Sequence, residues 1–261
     1  MSMKNRWATG TVSIEECIQA LRDNDPAIRE EAAYQLGIMG DQEAIPHLVG
    51  CLRDHEEKVR WRVLQALHKL GPSSVLPEIQ SMVKDPSSRV RGEAATALGK
   101  AGNVAGVASL LPLIEDTSPD VRWKTLEAIA EIGEAEESVL KKIMRSLDDP
   151  ESSVRMQAAR ALGACRYKPA IPLLIQKLHD PKHTVRWFAA WALGHLGDEE
   201  AIPHLINALG DGDEYVRIYV YQALAEFGSR ARAALTKALS RTDPTLKRLV
   251  QMLIDDISRE P

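Results

Sequence analysis

An aliphatic residue followed by Arg returns seven times along the chain, at Ile28-Arg29, Val59-Arg60, Val90-Arg91, Val121-Arg122, Val154-Arg155, Val185-Arg186 and Val216-Arg217. The steps are 31 residues long, except for one of 33 between Val121 and Val154. A fixed period of this length constrains the fold more than any local motif does. Each copy is one supersecondary unit whose apolar face can be buried only against the next copy. Six residues before each Arg stands an Asp: Asp23, Asp54, Asp85, Asp116, Asp149, Asp180 and Asp211.

Within a copy the apolar residues fall into two helical stripes. In the second copy Ile45, Leu48, Val49 and Leu52 form one, and Val59, Val63, Leu67 and Leu70 form the other, so each repeat reads as a helical hairpin. Prolines near the starts of the first helices, Pro46, Pro77, Pro172 and Pro203, sit where a missing N–H costs little. Gly40, Gly71, Gly102, Gly133, Gly197 and Gly228 fall at a constant offset after the second helix, where a left-handed residue ends it. The remaining scattered glycines read as helix ends too. Arg166 replaces the terminal Gly in the fifth copy, which predicts a different turn there. Ser13 and Glu16 have the spacing of a capping box at the first helix. Pro112, inside the fourth copy's first helix, predicts a kink or a shortened helix.

Eight copies follow, at about residues 13–40, 41–71, 72–102, 103–133, 134–166, 167–197, 198–228 and 229–258, after a leader over 1–12. The 33-residue step is absorbed by the polar stretch from Gly133 to Glu137. The eighth copy has Arg241 in place of Asp and Leu246-Lys247 in place of Val-Arg, as a capping repeat does. All eight read as one domain. The leader lacks an apolar core segment, and the longest apolar stretch, Val104 to Ile114, is too short to span a bilayer, so neither a signal peptide nor membrane insertion is expected. Three widely spaced cysteines, Cys17, Cys51 and Cys165, suit a reducing cytoplasm and make no metal-type pair.

The period, the Asp-x4-Val-Arg phrase and runs such as Ala94-Ala95-Thr96-Ala97-Leu98-Gly99 resemble HEAT repeats, specifically the short class also seen in phycobilisome-bilin lyases. The resemblance implies an all-α fold, a right-handed α-α superhelix or solenoid of about eight hairpins, with the second helices lining a concave face. It also implies a structural ladder in which these acids pair with the arginines: Asp54, Arg60, Asp85, Arg91, Asp116, Arg122, Asp149, Arg155, Asp180, Arg186, Asp211 and Arg217, with Asp23 and Arg29 before them. Carboxylate and guanidinium suit that role, since one can cap a helix start and the other offers a rigid fork of donors.

What differs between copies points to a partner. With the Val as position zero, positions +2, +3, +6 and +10 of the second helix lie opposite its buried side. They hold seven of the chain's twelve aromatic residues. Trp61 and Trp123 lie in early copies, and Tyr34 in the first. Trp187, Phe188, Trp191, His195, Ile218 and Tyr219 fall together in the sixth and seventh. Clustered aromatics of this kind mark binding surfaces, whereas the competing role is packing between neighbouring repeats.

The charged residues at the same positions are six basic against seven acidic, and the whole chain carries a net charge of −4. That balance excludes the basic stripe which phosphate-backbone binding needs, and so disfavours a glycosylase acting on DNA. One His-Glu pair, His55-Glu56, cannot supply the ligand set of an iron hydroxylase of the deoxyhypusine type, and no metal site or other cofactor is expected. No catalytic residue is identified. The chain reads as a non-catalytic scaffold or adaptor for a protein or peptide, with no nucleic-acid or membrane partner. A bilin lyase or chromophore-handling subunit is the alternative that the short-repeat resemblance brings.

Overall fold

A computed structural model describes Trp7 and residues 12–239 and 244–259. Among these residues every regular element is a helix, and the chain divides into two compact units, Met1–Ile132 and Gly133–Pro261. The first unit pairs α1 (Ile14–Ala20) with α2 (Pro26–Met39), α3 (Ile45–Gly50) with α4 (Glu57–Leu70), α5 (Leu76–Ser81) with α6 (Ser88–Lys100), and α7 (Val104–Leu110) with α8 (Pro119–Ile132). The second pairs α9 (Glu137–Arg145) with α10 (Ser152–Ala164), α11 (Ile171–Lys177) with α12 (His183–Leu196), α13 (Ile202–Ala208) with α14 (Glu214–Phe227), and α15 (Ser229–Ala238) with α16 (Pro244–Arg259). Within each unit successive hairpins stack second helix on second helix, the arrangement of an α-solenoid.

The core follows the repeat. Leu36, Leu67, Leu98 and Ile129 occupy one register position in the first unit, Leu162, Leu193 and Leu224 occupy it in the second, and all are fully buried. Each contributes about 1.5–3 kcal/mol through burial. The chain enters through the expected capping box: Glu16 N donates to Ser13 Oγ at 3.3 Å and Ser13 N donates to Glu16 Oε2 at 3.0 Å. The two residues added by the 33-residue step fall in an irregular stretch over 133–136. Arg241 lies outside the described residues.

Three expectations need correction. α7 does end at Leu110, just before Pro112, and continues as a 3₁₀ turn over Leu111–Glu115. The same tightening follows α3, α5 and α9 at Cys51–Arg53, Met82–Lys84 and Ser146–Asp148, where no proline stands. Pro112 therefore occupies a boundary common to the repeats and does not kink a helix interior. Arg166 does not change the turn either. It adopts the left-handed conformation itself, with φ of 51°, while its glycine counterparts Gly40, Gly102 and Gly197 have φ of 76°, 63° and 63°. Geometry set by stacking outweighs the ~1–2 kcal/mol that a side chain costs there.

The third correction concerns the interior glycines, which are packing contacts and not helix ends. Gly37, Gly99, Gly163 and Gly194 lie inside second helices, where a Cβ would stand 2.7–2.9 Å from the Cα and Cβ of Ala66, Ala128, Ala192 and Ala223. Each of these alanines lies on the next second helix, so backbone meets backbone there. His68 takes the corresponding place in α4, and the α4–α6 pair is the more loosely packed one in its unit.

The repeated Asp and Arg connect neighbouring repeats. Arg60 Nε and Nη2 donate to Asp85 Oδ2 and Oδ1 at 2.7 and 2.9 Å, a bidentate fork onto the next repeat's acid. Its Nη1 turns back to the carbonyl of its own repeat's Asp54 at 2.8 Å. Arg29 and Arg91 in the first unit, and Arg155 and Arg186 in the second, repeat this pose onto Asp54, Asp116, Asp180 and Asp211. Each of these four acids also accepts the N–H two residues on, at 2.8–2.9 Å, which fixes the turn into the second helix.

Burial works to raise the carboxyls of Asp54, Asp116, Asp180 and Asp211, but the arginine fork and the backbone N–H outweigh it and hold them below the ordinary 3.8. A carboxyl lowered on folding contributes stability above its unfolded pKa and loses it as pH falls through the folded one. The melting temperature is therefore expected to stay level from neutral pH to roughly pH 5 and to drop steeply once pH passes below about 4. Asp180→Asn should melt lower at neutral pH and show a shallower acid decline. Parallel acid declines in the two proteins would remove the ladder as the cause.

Candidate functional site

α12 places side chains four residues apart along one edge: His183, Trp187, Trp191 and His195, with Phe188 beside them. α14 contributes Tyr215 and Tyr219, again four apart, with Ile218 adjacent. The two helices bring the rings into one continuous row. Trp187 lies 5.4 Å from Tyr215 and 5.9 Å from Tyr219, the latter pair nearly parallel at 8°. Phe188 bridges Tyr219 at 6.4 Å and Trp191 at 6.3 Å, and Trp191 meets His195 at 4.1 Å. His183 closes the other end, 5.3 Å from Trp187.

Polar groups fix this row from beneath. Trp187 Nε1 donates to Asp213 Oδ1 at 3.3 Å, and Asp213 also caps α14 by accepting the N–H of Val216. Burial pushes the Asp213 carboxyl up, yet the Val216 N–H and the Trp187 indole together hold it below its usual range. At the far end His195 Nδ1 is 3.4 Å from Glu226 Oε2 but misaligned, leaving that buried nitrogen without a hydrogen bond.

Exposure separates the members. Tyr215 is 60% exposed and Ile218 43%, while Trp187, Phe188, Trp191, His195 and Tyr219 are half-buried. Trp191 is partly a packing residue: its Cζ3 lies 2.8 Å from where a Cβ on Gly163 would stand, so that glycine makes room for the ring.

Trp61 and Trp123, in the other unit, are placed differently. Trp61 is covered by two guanidiniums, with Arg89 Cζ 3.4 Å and Arg62 Cζ 4.5 Å from its ring centroid. Its Nε1 donates to the buried Glu93 at 3.2 Å. Glu93 is also approached by His68 at 3.8 Å and Lys124 at 3.9 Å; burial raises its carboxyl, and these partners overcome that and lower it. Trp123 lines an open cleft of about 260 Å³ with Arg89, Ser118 and Lys124. Among the described residues no ring contact joins Trp61 to Trp123.

Charges on the same helix face pair sideways between repeats. Arg62 meets Glu30 at 3.2 Å and Lys100 meets Glu131 at 2.5 Å. Tyr34 lies under Arg62 and Lys69 at 4.9 and 5.6 Å. Among the described residues no three His, Cys, Asp or Glu side chains cluster as a metal would need, and no helix is long and apolar enough to cross a membrane. The three cysteines are free, and burial pushes the Cys165 thiol up to about 11, far from a reactive thiolate.

Sequence reasoning missed Tyr215, His183 and Asp213. The signal was present: Tyr215 and His183 stand one helical turn before Tyr219 and Trp187, and residues four apart share a face. The register positions inspected began at +2 and stopped short of the helix's first turn.

A family profile described as HEAT repeats matches residues 7–68, 51–130, 107–183, 137–214 and 171–254. Among solved structures, the CpcE–CpcF complex of phycocyanin lyase from Nostoc sp. PCC7120 is similar at 23% identity and a TM-score of 0.55, over 94% of this chain and 95% of that one. The protein YibA of Escherichia coli is similar at 21% identity and a TM-score of 0.68, over 100% and 98%. An engineered protein matches at 22% identity and a TM-score of 0.61, over 99% and 81%. These likenesses are of fold. A comparison with curated proteins finds no match.

Proposed function

Because the chain belongs to the HEAT-repeat family, in which function is carried by surfaces grafted on a common skeleton, we propose that it is a non-catalytic adaptor binding a protein or peptide through the ring row of α12 and α14. One observation carries this reading: seven rings, from His183 through Trp187 and Tyr219 to His195, form a contiguous surface, and the exposed apolar members of this patch, Tyr215 and Ile218, belong to no core. Large aromatics held at fixed orientation bind with little entropic loss, and they dominate interface energetics. Asp213 and Glu226 are charged side chains against the row, each facing a histidine, and the rings themselves supply the contact surface.

The test is selection of peptide binders from a random display library against the wild-type chain, followed by titration of Trp187→Ala combined with Tyr215→Ala. Selected binders are expected to lose roughly thirty-fold or more in affinity, the effect of truncating an interface hot spot. Circular dichroism should show the fold retained. Binders that hold both proteins equally would move the site elsewhere.

A second reading, a bilin-handling subunit, is supported by the near-parallel Trp187–Tyr219 pair, whose π-faces match a planar conjugated ligand. A visible absorbance change on mixing with bilin, abolished by the same double substitution, would favour it; an unchanged spectrum at high protein concentration would remove it.

A further inference from the structure

The arginine ladder continues one step beyond its last acid. Arg217 stands at the ladder position of α14, and its Nη1 donates to the carbonyl of Asp211 at 2.8 Å. Arg29, Arg60, Arg91, Arg155 and Arg186 make the same bond to their own repeats at 2.8–2.9 Å. The back of the Arg217 guanidinium is thus anchored as in the other rungs. In those five, Nε and Nη2 grip an Asp 25 residues further on, with distances of 2.7–2.9 Å. From Arg217 the same step leads to Thr242, one residue past the Arg241 read in place of the Asp; Asp243 follows, and all three lie outside the described residues. Among the described residues no acidic side chain is within ion-pair distance of Arg217.

Arg217 also borders an open cleft of about 520 Å³ between α14 and α16. Ile218, Leu249 and Met252 give the cleft an apolar wall, and Ile218 and Met252 are 43% and 50% exposed. Tyr221, on the same wall, commits its hydroxyl to Asp256. Among the described residues Glu214 is the acidic side chain that lines the cleft.

We propose that Arg217 and this cleft form a second binding site, for an aspartate side chain of a partner peptide whose neighbouring apolar residue rests on Ile218 and Met252. The five complete rungs define what the pose accepts: a planar carboxylate meeting Nε and Nη2 edge-on. Glu214 adds like charge that weighs more heavily against a doubly charged phosphate than against a single carboxylate. Among the described residues no carboxylate occupies the fork, and the Asp211 carbonyl holds it in the pose of the complete rungs, so little rearrangement is needed when the ligand arrives. The cleft shares Ile218 with the ring row, but Trp187 and Tyr215, whose substitution tests that row, are not among its lining residues.

The experiment follows the Arg217 Nε–H resonance in the full chain, assigned by its absence in Arg217→Gln, during titration with acetyl-Leu-Asp-Leu-amide or its Asn counterpart. A saturable shift is expected with the Asp peptide, with roughly tenfold or more weaker binding of the Asn peptide, as for a charge-assisted pair. In Arg217→Gln the two peptides should bind alike. The melting temperature of Arg217→Gln should stay within a degree or so of wild type, whereas Arg186→Gln, which breaks a complete rung, should lower it clearly. Equal binding of the two peptides by wild type, or no shift at millimolar peptide, overturns the proposal. So does a loss of stability in Arg217→Gln matching that of Arg186→Gln, and the same loss in Asp243→Asn would then identify the chain's own Asp243 as the occupant.

Discussion

Asp85→Ala is expected to destabilise the unit formed by residues 1–132 by about 3–5 kcal/mol, the range found when one partner of a buried ion pair is removed. Arg60 and Asp85 are the most enclosed of the first unit's rungs, with side chains 11% and 5% exposed. Removing the carboxylate strands the Nε and Nη2 donors of Arg60 and also the N–H of Ser87, which gives a hydrogen bond to Asp85 Oδ1 at 2.8 Å. Asp85→Asn, which keeps the shape and one acceptor, should cost less. Joint replacement by Arg60→Met and Asp85→Leu should cost far less than the sum of the single losses, because no charge is then left unpaired. Hydrogen exchange of the α4 and α6 amides measures the effect locally, where a repeat array opens. A loss under about 1 kcal/mol for Asp85→Ala would place this rung among ordinary surface pairs.

Gly99→Val should be nearly as damaging, at about 3 kcal/mol. A Cβ at Gly99 would come within 2.7 Å of both Cα and Cβ of Ala128, and the opposing atom is backbone that cannot rotate away. Alanine is the milder case. It meets the same contact but gains about 1 kcal/mol of helix propensity over glycine, so a net loss of about 1–2 kcal/mol is expected. Adding Ala128→Gly removes one of the two clashing atoms and should recover part of the loss, more for Gly99→Ala than for Gly99→Val. Urea denaturation of these four variants and of Ala128→Gly alone gives the coupling energy. Additive behaviour would show that the two residues do not oppose each other.

The fold was legible because its cause is repetitive. A period of 31 residues, two apolar stripes per copy and a turn-forming residue between them leave little besides stacked hairpins. The ladder's chemistry was legible as well, but its direction was not. Arg60 and Asp54 are close in sequence and look like partners, yet the carboxylate of Asp54 goes to Arg29 and only its carbonyl serves Arg60. The glycines misled for a related reason. Gly40 and Gly37 are three residues apart and chemically identical, but one needs a left-handed turn and the other a neighbour's backbone, and only three-dimensional stacking separates these demands.

The ring row was half legible. Counting at helical spacing found Trp187, Phe188, Trp191, His195, Ile218 and Tyr219, while Tyr215 fell just before the first position inspected. Nothing in the sequence told Trp61, covered by two guanidiniums, from Trp187, which lies against the exposed Tyr215. Both occupy the same register, and what distinguishes them comes from neighbouring helices.

Where a rung is complete inside a unit, a repeat offers a carboxylate to the copy before it and a guanidinium to the copy after it. That makes these five junctions a hook and an eye of one design, indifferent to which two copies meet. Inside either unit, a whole repeat is therefore a cassette: one cut between equivalent positions can be excised or duplicated, and the new neighbours will find the fitting they require. A cut of any other length would offer hook to hook. Such a chain can lengthen by copying itself, and the surfaces it presents can then diverge without renegotiating the joints.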